Sequence, residues 1–521
     1  MKPSPQRHRP LLLGPTAVAV LVLSGCSVPS DSTGEAADSA QASPTDDAPI
    51  ARSPVFDGDH DAYRTRPDLE EFGAEITPGP AADEAYEGVI VLSPRNTEAE
   101  EQSIANAVLD GNGDPLWLQG FDDIDDANDY VHNALVQTYD GEPVLTWWEG
   151  SDQKGHGYGE VVMVDSSYQE VRRVSAAGGL AVEGPDFHEF RITDQDTMLW
   201  VAYVPTRADL SGIGGPQDGW VLDGVVQEVD IASGDVLFEW SALDHVPVSA
   251  TLQTSVTEQT WDEALGTEEN PLDYFHINSA QIDDDGSLLV SGRNTHAVYN
   301  IDVETGEVNW TLGGTDSDFE LSEEAYFSWQ HDAQRDEDGT IRIFDNAATP
   351  AYRENSRVLW LELDEDAGTA GIARQLDPPE PRLSDYMANA SRLDNGNLLV
   401  GWGWEHYYTE YTPDGEVVYD AATAPFDSYR AYAAQWTGTP AEPPALVVDG
   451  DSAYVSWNGA TEVAQWRLLA GDDEAGAAEH AVVDKDGFET RIPAPPAAPY
   501  LAVEALDASG EVLGASFVHA E

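Results

Sequence analysis

The stretch from Asp273 to Ala347 holds two near-copies of one pattern side by side, and this repeat constrains the fold more than any other feature of the chain. Each copy has a His, then an Asp-Gly step, then a β-rich run. His276 precedes Gly286 and Leu288-Leu289-Val290; His331 precedes Gly339 and Ile341-Arg342-Ile343-Phe344. Asp-Gly is a tight-turn signal, and alternating runs on either side of it read as the strands of a hairpin. A His therefore opens each hairpin at the same structural position, which invites a shared site.

The same opener recurs at His132 to Gly141, at His188 to Asp196 and, without His, at Ala388 to Gly396. A second motif, apolar-Asp-x-x-x-Gly-Glu-Val-x-Trp, closes each unit. It is clearest at Ile301 to Trp310 and recurs at Val229 to Trp240 and Tyr411 to Val418, with weaker forms from Leu109, Val164 and Glu362. The closers lie roughly 50 to 70 residues apart, the length of one four-stranded blade with variable loops. Few segments show helical spacing. These features predict an all-β chain with a six-bladed β-propeller over residues 85–437, seven blades being the alternative. The run Glu87 to Pro94 is expected to complete the last blade and close the ring. Past the Pro-rich linker at Thr437 to Pro444, short alternating runs over 445–521 resemble a small fibronectin-III/Ig-like β-sandwich, to which an architectural or adhesive role is assigned.

The chain starts with Lys2, Arg7 and Arg9, then an apolar run from Leu11 to Leu23, then Ser24-Gly25-Cys26. That apolar core is short for a spanning helix and reads as a secretory signal. The Leu-x-Gly-Cys ending resembles a bacterial lipoprotein signal, which implies lipidation of Cys26 and anchoring at the outer face of the cell membrane, outside the cytoplasm. Cys26 is the only Cys, so no intramolecular disulfide forms. Residues 27–84, rich in Ser, Ala, Asp, Pro and Thr, read as a disordered tether.

The chain carries 97 acidic against 24 basic residues, a formal charge of −73. The acids are spread along its length, so they read as a solvated acidic surface. No basic stripe is available to neutralise phosphates, which argues against a nucleic-acid partner. Such a protein repels anions at long range, so any anion site in it must be built from local cations. If the opener is the innermost strand of each blade, His132, His188, His276 and His331 start at one mouth of the central channel. Arg293 follows Gly286 in the second strand of its hairpin. Three imidazoles and a guanidinium on one cavity make such an anion site.

Asp273-x-Phe275-His276-x-Asn278-Ser279, Ser291-Gly292-Arg293, Trp310-x-Leu312-Gly313-Gly314 and Phe327-Ser328-Trp329-Gln330-His331-Asp332 together resemble the arylsulfotransferase family. So do Phe187-His188-Glu189-Phe190 and the stretch from Asn395 to Gly403 with Glu410-Tyr411. The likeness is close over residues 180–436 and looser over 88–180. It implies transfer of a sulfuryl group from an aryl sulfate to a phenol through a sulfated His, on a six-bladed propeller, with no nucleotide sulfate donor and no cofactor. The family order His, His, Arg, His falls on His188, His276, Arg293 and His331, with His331 as nucleophile; His132 competes with His188 for the first place.

A neutral imidazole is a good nucleophile near neutral pH, and Asp332 or a carbonyl could hold its other nitrogen. Arg293, His276 and His188 would bind the sulfuryl oxygens and protonate the leaving phenolate. Trp329, Tyr386, Trp402, Trp404, Tyr407 and Tyr408 are candidates to sandwich an aryl group, with Trp404 and Tyr408 placed at the rim. Arg293 in the same cavity disfavours a metal on the three His. The alternative to the enzyme is a lipid-anchored, non-catalytic propeller that binds or scaffolds.

Overall fold

The computed structural model describes residues 50–58, 62–96, 103–120, 129–153, 155–181, 184–258, 265–283, 285–493 and 497–519. The signal segment, Cys26 and the tether up to residue 49 lie outside the described residues. The chain is all-β apart from single helical turns, and no described helix is long and apolar enough to cross a membrane.

Six consecutive sheets each contain an antiparallel meander of four strands. The second starts at Asp129–Tyr139, the third at Phe190–Ile192, the fourth at Ile277–Ile282, the fifth at His331–Arg335 and the sixth at Asn389–Arg392. The predicted openers and closers thus fall at the first and last strand pairs of these sheets. The first sheet has a different origin. Its leading strand is Asp427–Ala434, which pairs with Val89–Asn96, and Ser103–Leu109 and Pro115–Gly120 follow. The run from Glu87 to Pro94 therefore does not complete the last sheet. It is the second strand of the first, and the ring is closed by the distant strand that pairs with it.

Hydrophobic packing runs round the ring without a gap. Trp117 and Trp147 lie in the core between the first and second sheets, Trp148 and Trp200 between the second and third, and Tyr203 and Ile277 between the third and fourth. Leu312 and Ile343 join the fourth to the fifth, Phe344 and Trp402 the fifth to the sixth, and Leu399 and Leu92 the sixth to the first. Each sheet buries both faces against neighbours, the arrangement of propeller-like proteins, in which radial repetition leaves only short edges. The leading strands face inward and crowd one another.

The expectation of a tether as far as residue 84 fails over its second half. Leu69, Phe72 and Ala81 are buried in the core of the sixth and first sheets, and Glu75–Pro78 adds a fifth strand to the sixth sheet. Ala51–Arg52 pairs in parallel with Val512–His519. Low hydropathy in this stretch conceals a few well-placed apolar side chains, enough to order the backbone between them.

After the linker, Ala445–Asp449, Ser452–Ser456 and Thr490–Pro493 form one sheet, and a second is built from Gln465–Gly471, Ala478–Asp484, Tyr500–Leu506 and Val512–His519. Trp466, Leu468 and Val503 fill the space they enclose. This unit rests on the outside of the ring: Gly459 N–H donates to Leu116 O at 2.7 Å, and the Tyr168 hydroxyl to Gly459 O at 2.9 Å.

Candidate active site

The leading strands are irregular where they reach the channel. Register shifts interrupt the pairing at His132/Leu135, Ile277/Ser279, His331/Gln334 and Ser428/Ala431. Left-handed backbone accompanies the first three at Asn133, His276 and Asp332, and it occurs also at Met387 and Ala388, ahead of the sixth sheet's first strand. A bulge bends its strand and re-aims a side chain. The repeat thus turns side chains from successive sheets toward one cavity of about 550 Å³.

His188, His276, Arg293 and His331 all line this cavity. The His188 and His276 rings meet edge to face with centroids 5.0 Å apart. Arg293 comes from a single helical turn, and its backbone N–H donates to His276 O at 2.9 Å, which ties the two residues together across their hairpin. That turn needs Gly292: a Cβ there would lie 2.6 Å from Thr295 Oγ1 and 2.9 Å from the Phe275 ring. His132 lies elsewhere. It is fully buried behind Phe187, with ring centroids 4.4 Å apart, and does not line the cavity. Between the two candidates for the first position, the geometry favours His188.

Each His has a different partner at Nδ1. His188 meets Asp186 Oδ1 at 2.5 Å, and His276 meets Asp273 Oδ2. His331 Nδ1 lies 2.8 Å from Asn346 Oδ1. The Asn346 amide is oriented by its own donors, since Nδ2 donates to Ser384 O and Met387 O, each at 3.1 Å. Oδ1 can only accept, so His331 Nδ1 carries the proton and Nε2 holds the lone pair. Met387 N–H donates to that Nε2 at 3.3 Å. Asp332 is not the partner expected from its place in the chain. Its left-handed backbone points the carboxylate away, to the backbone N–H of Ala390 at 2.8 Å.

Burial and then the Arg293 charge hold the His331 imidazole well below its usual range, so it stays neutral. Burial, followed by His276 and Arg430, does the same to His188. Burial lifts Asp186 to about 7, against the pull of the His188 and Gly157 backbone N–H groups. Arg293 has no carboxylate within ion-pair distance among the described residues, and its buried Nε has no hydrogen-bond partner there. Beneath the imidazoles, Arg430 and Arg191 meet the Glu189 carboxylate at 3.1 and 3.0 Å, and Arg430 also lies 4.0 Å from Asp332.

Of the expected aromatics, Tyr386 and Trp404 line the cavity, their rings 5.1 Å apart. Trp329 is buried behind Arg293, 5.0 Å from ring to guanidinium, and serves as its platform. Tyr408 is not a rim residue. The turn at Gly403–Glu405 ends at His406 in left-handed backbone, and the next strand sends Tyr408 into the core against Tyr419. Sequence reasoning missed Tyr429, whose ring is 5.3 Å from His188 and 6.5 Å from His331, and Asn346. A Tyr-Arg pair opening the ring-closing strand was the available signal for the first; no motif marks the second.

The sequence profile of the arylsulfotransferase (ASST) family matches residues 135–424, more than half of the chain and the part that contains His188, His276, Arg293 and His331. The chain belongs to that family. No curated protein matches it. Among solved structures it is similar to a protein of unknown function from Bacteroides caccae, at 12% identity over 66% of this chain and 98% of that one, with a TM-score of 0.40. It is similar also to virginiamycin B lyase from Staphylococcus aureus, at 10% identity over 74% and 97% of the two chains, with a TM-score of 0.33.

Proposed function

We propose that this chain is an arylsulfate sulfotransferase that works through a sulfohistidine on His331 and uses no nucleotide donor. The observation that carries the reading is the fixed tautomer of His331: Asn346 holds the Nδ1 proton, so Nε2 of a neutral imidazole carries the lone pair, which exchanges its long 3.3 Å contact with Met387 N–H for sulfur in the cavity that Arg293 lines. In the first step Nε2 attacks sulfur, the N–S bond forms and the S–O(aryl) bond breaks. The phenolate leaves with a proton from His276, whose Nδ1 meets the Asp273 carboxylate, and Arg293 binds the sulfuryl oxygens. In the second step an acceptor phenol returns that proton, its oxygen attacks sulfur, and the N–S bond breaks. Tyr386, Trp404, Phe187 and Tyr429 supply aromatic walls for both rings.

In this reading the six sheets are the blades of a six-bladed β-propeller, and the C-terminal sheets are a fibronectin-III/Ig-like sandwich with an architectural role. Residues 1–26 act as a lipoprotein signal, Cys26 anchors the protein at the outer face of the membrane, and the following residues as far as the first described strand form the tether. The test is transfer from 4-nitrophenyl sulfate to added phenol by the full chain beside His331→Ala. Acceptor-dependent release of nitrophenol that vanishes in the variant is expected. Release that needs no acceptor would point to hydrolysis instead, and none with any phenol would favour a binding protein.

A further inference from the structure

Of the four methionines in the chain, Met1 lies outside the described residues, and the other three differ in what they meet. Met163 and Met198 are fully buried in the core of the second and third sheets. Met387 borders the same core and is buried too, but it also lines the cavity of about 550 Å³. A space of that size admits small solutes, since a water takes up about 30 Å³. The Met387 thioether is therefore open to a small oxidant that enters the cavity, and the other two are not.

The surroundings of Met387 favour one added oxygen. Arg95 Nη2 donates to its sulfur at 3.2 Å. A thioether is a weak acceptor. A sulfoxide oxygen draws negative charge from a polar S–O bond, and its contact with a guanidinium is of the stronger, charge-assisted kind. Arg95 is held in place, because its Nε donates to Asp427 at 2.6 Å in the strand that closes the ring. At 3.2 Å no oxygen fits between sulfur and guanidinium, so an oxidised side chain has to shift. The backbone that carries it is strained: Met387 and Ala388 are both left-handed, with φ of 69° and 88°. This backbone also touches the nucleophile. Met387 N–H reaches His331 Nε2 at 3.3 Å, and Met387 O accepts from Asn346, the residue that orients the imidazole. A change at the sulfur is thus one residue away from His331.

We infer that Met387 is a site of oxidation by hydrogen peroxide, and that its sulfoxide slows the reaction at His331. A lone pair on sulfur attacks one peroxide oxygen, and the O–O bond breaks. The hydroxide released takes the proton from the oxygen now on sulfur, so thioether and peroxide become sulfoxide and water. The site rests on the geometry alone, and the effect on transfer rests on the sulfotransferase reading.

The experiment exposes the full chain to hydrogen peroxide. At each time point it follows every methionine by peptide mass analysis and measures transfer from 4-nitrophenyl sulfate to phenol. A one-oxygen increment is expected on Met387 before Met163 or Met198. The kcat/KM of the fully oxidised protein should fall about a hundredfold, as displacement of a reacting group by about 1 Å does. The activity left at each time should match the fraction of Met387 still unoxidised. An increment first on Met163 or Met198, or none on Met387, overturns the site. Activity that survives complete oxidation of Met387, or is lost ahead of it, overturns the effect. Met387→Leu keeps the bulk without the sulfur and should hold its own starting activity through the same exposure; decay at the wild-type rate would also overturn the effect. If no phenol is sulfated before peroxide is added, the transferase reading fails, and the order of the mass increments alone decides the site. The wild-type time course decides both points if Met387→Leu does not fold.

Discussion

The inner strands of the ring and the C-terminal sandwich are built from the same kind of short, alternating segment, yet they differ in what they bury. The ring encloses His188, His331, Glu189, Asp332 and Arg430 almost completely, and non-glycine residues in left-handed backbone lie at the openings of four of its sheets. Between Ala445 and His519, the described residues include no fully buried charged side chain and no non-glycine residue with positive φ. Left-handed backbone of that kind costs about 1–3 kcal/mol per residue and persists only where the surroundings impose it. Buried charge is costlier still unless it is paired. The ring tolerates both, and the sandwich neither. Left-handed non-glycine backbone and fully buried charge are therefore confined to the ring among the described residues of these two regions, while the sandwich follows packing alone.

The sharpest way to break this contrast is at Arg293. Arg293→Met should lower kcat/KM for sulfuryl transfer about a thousandfold, as loss of a donor to transition-state charge does, with little change in melting temperature. A drop in stability with activity retained would make Arg293 a structural residue like those of the sandwich. The reciprocal change is Trp466→Ala. It should cost about 3–5 kcal/mol of stability in a denaturant titration, because it empties the core of the sandwich, and leave kcat intact. Loss of kcat there would couple the two regions.

A smaller effect is expected at Asn346. In the wild type the acid limb of the kcat/KM profile should lie below the ordinary His range, because burial and Arg293 keep His331 neutral as the pH falls. Asn346→Asp places a carboxylate on Nδ1, favours the imidazolium and should move that limb upward by about one pH unit. The limb of Asn346→Asp staying in place would mean that another group limits the rate. Stability should show its own signature. Asp186 holds its proton in the fold up to about 7, whereas the unfolded chain releases it near 3.8. Linkage then makes stability fall as pH rises from about 4 to about 7 and level off above, and Asp186→Asn should flatten that slope. The smallest effect is at Tyr408, whose buried hydroxyl has no partner among the described residues. Tyr408→Phe should change stability by less than about 0.5 kcal/mol and leave transfer unaltered.

What could be read from the sequence was whatever the repeat carried. His276, Arg293 and His331 were legible because each sits at a fixed offset from a turn, and His188 because Phe187 to Phe190 repeats the pattern. Tyr429 and Arg430 open their strand as those residues do, but its sheet partners Val89–Asn96 lie at the other end of the domain, so ring closure hid them. Asn346 was invisible for another reason: it meets His331 across the hairpin, and only its own hydrogen bonds fix which end of the amide faces the ring. Asp332 and Tyr408 were misread because adjacency in the chain stood in for adjacency in space, and a left-handed residue at or shortly before each position turned the side chain elsewhere. The stretch ahead of the ring was misread by composition, since Leu69 and Phe72 anchor it despite their polar surroundings.

The central claim is a covalent sulfuryl group on His331. The most direct measurement is a rapid-quench reaction of the full chain with 4-nitrophenyl sulfate in the absence of acceptor, followed by peptide mass analysis under conditions that preserve the N–S bond. The account predicts a burst of nitrophenol equal to the enzyme present and a sulfuryl mass increment on the peptide containing His331, discharged when phenol is added. A burst that persists in His331→Ala, or an increment on any other residue, would contradict it.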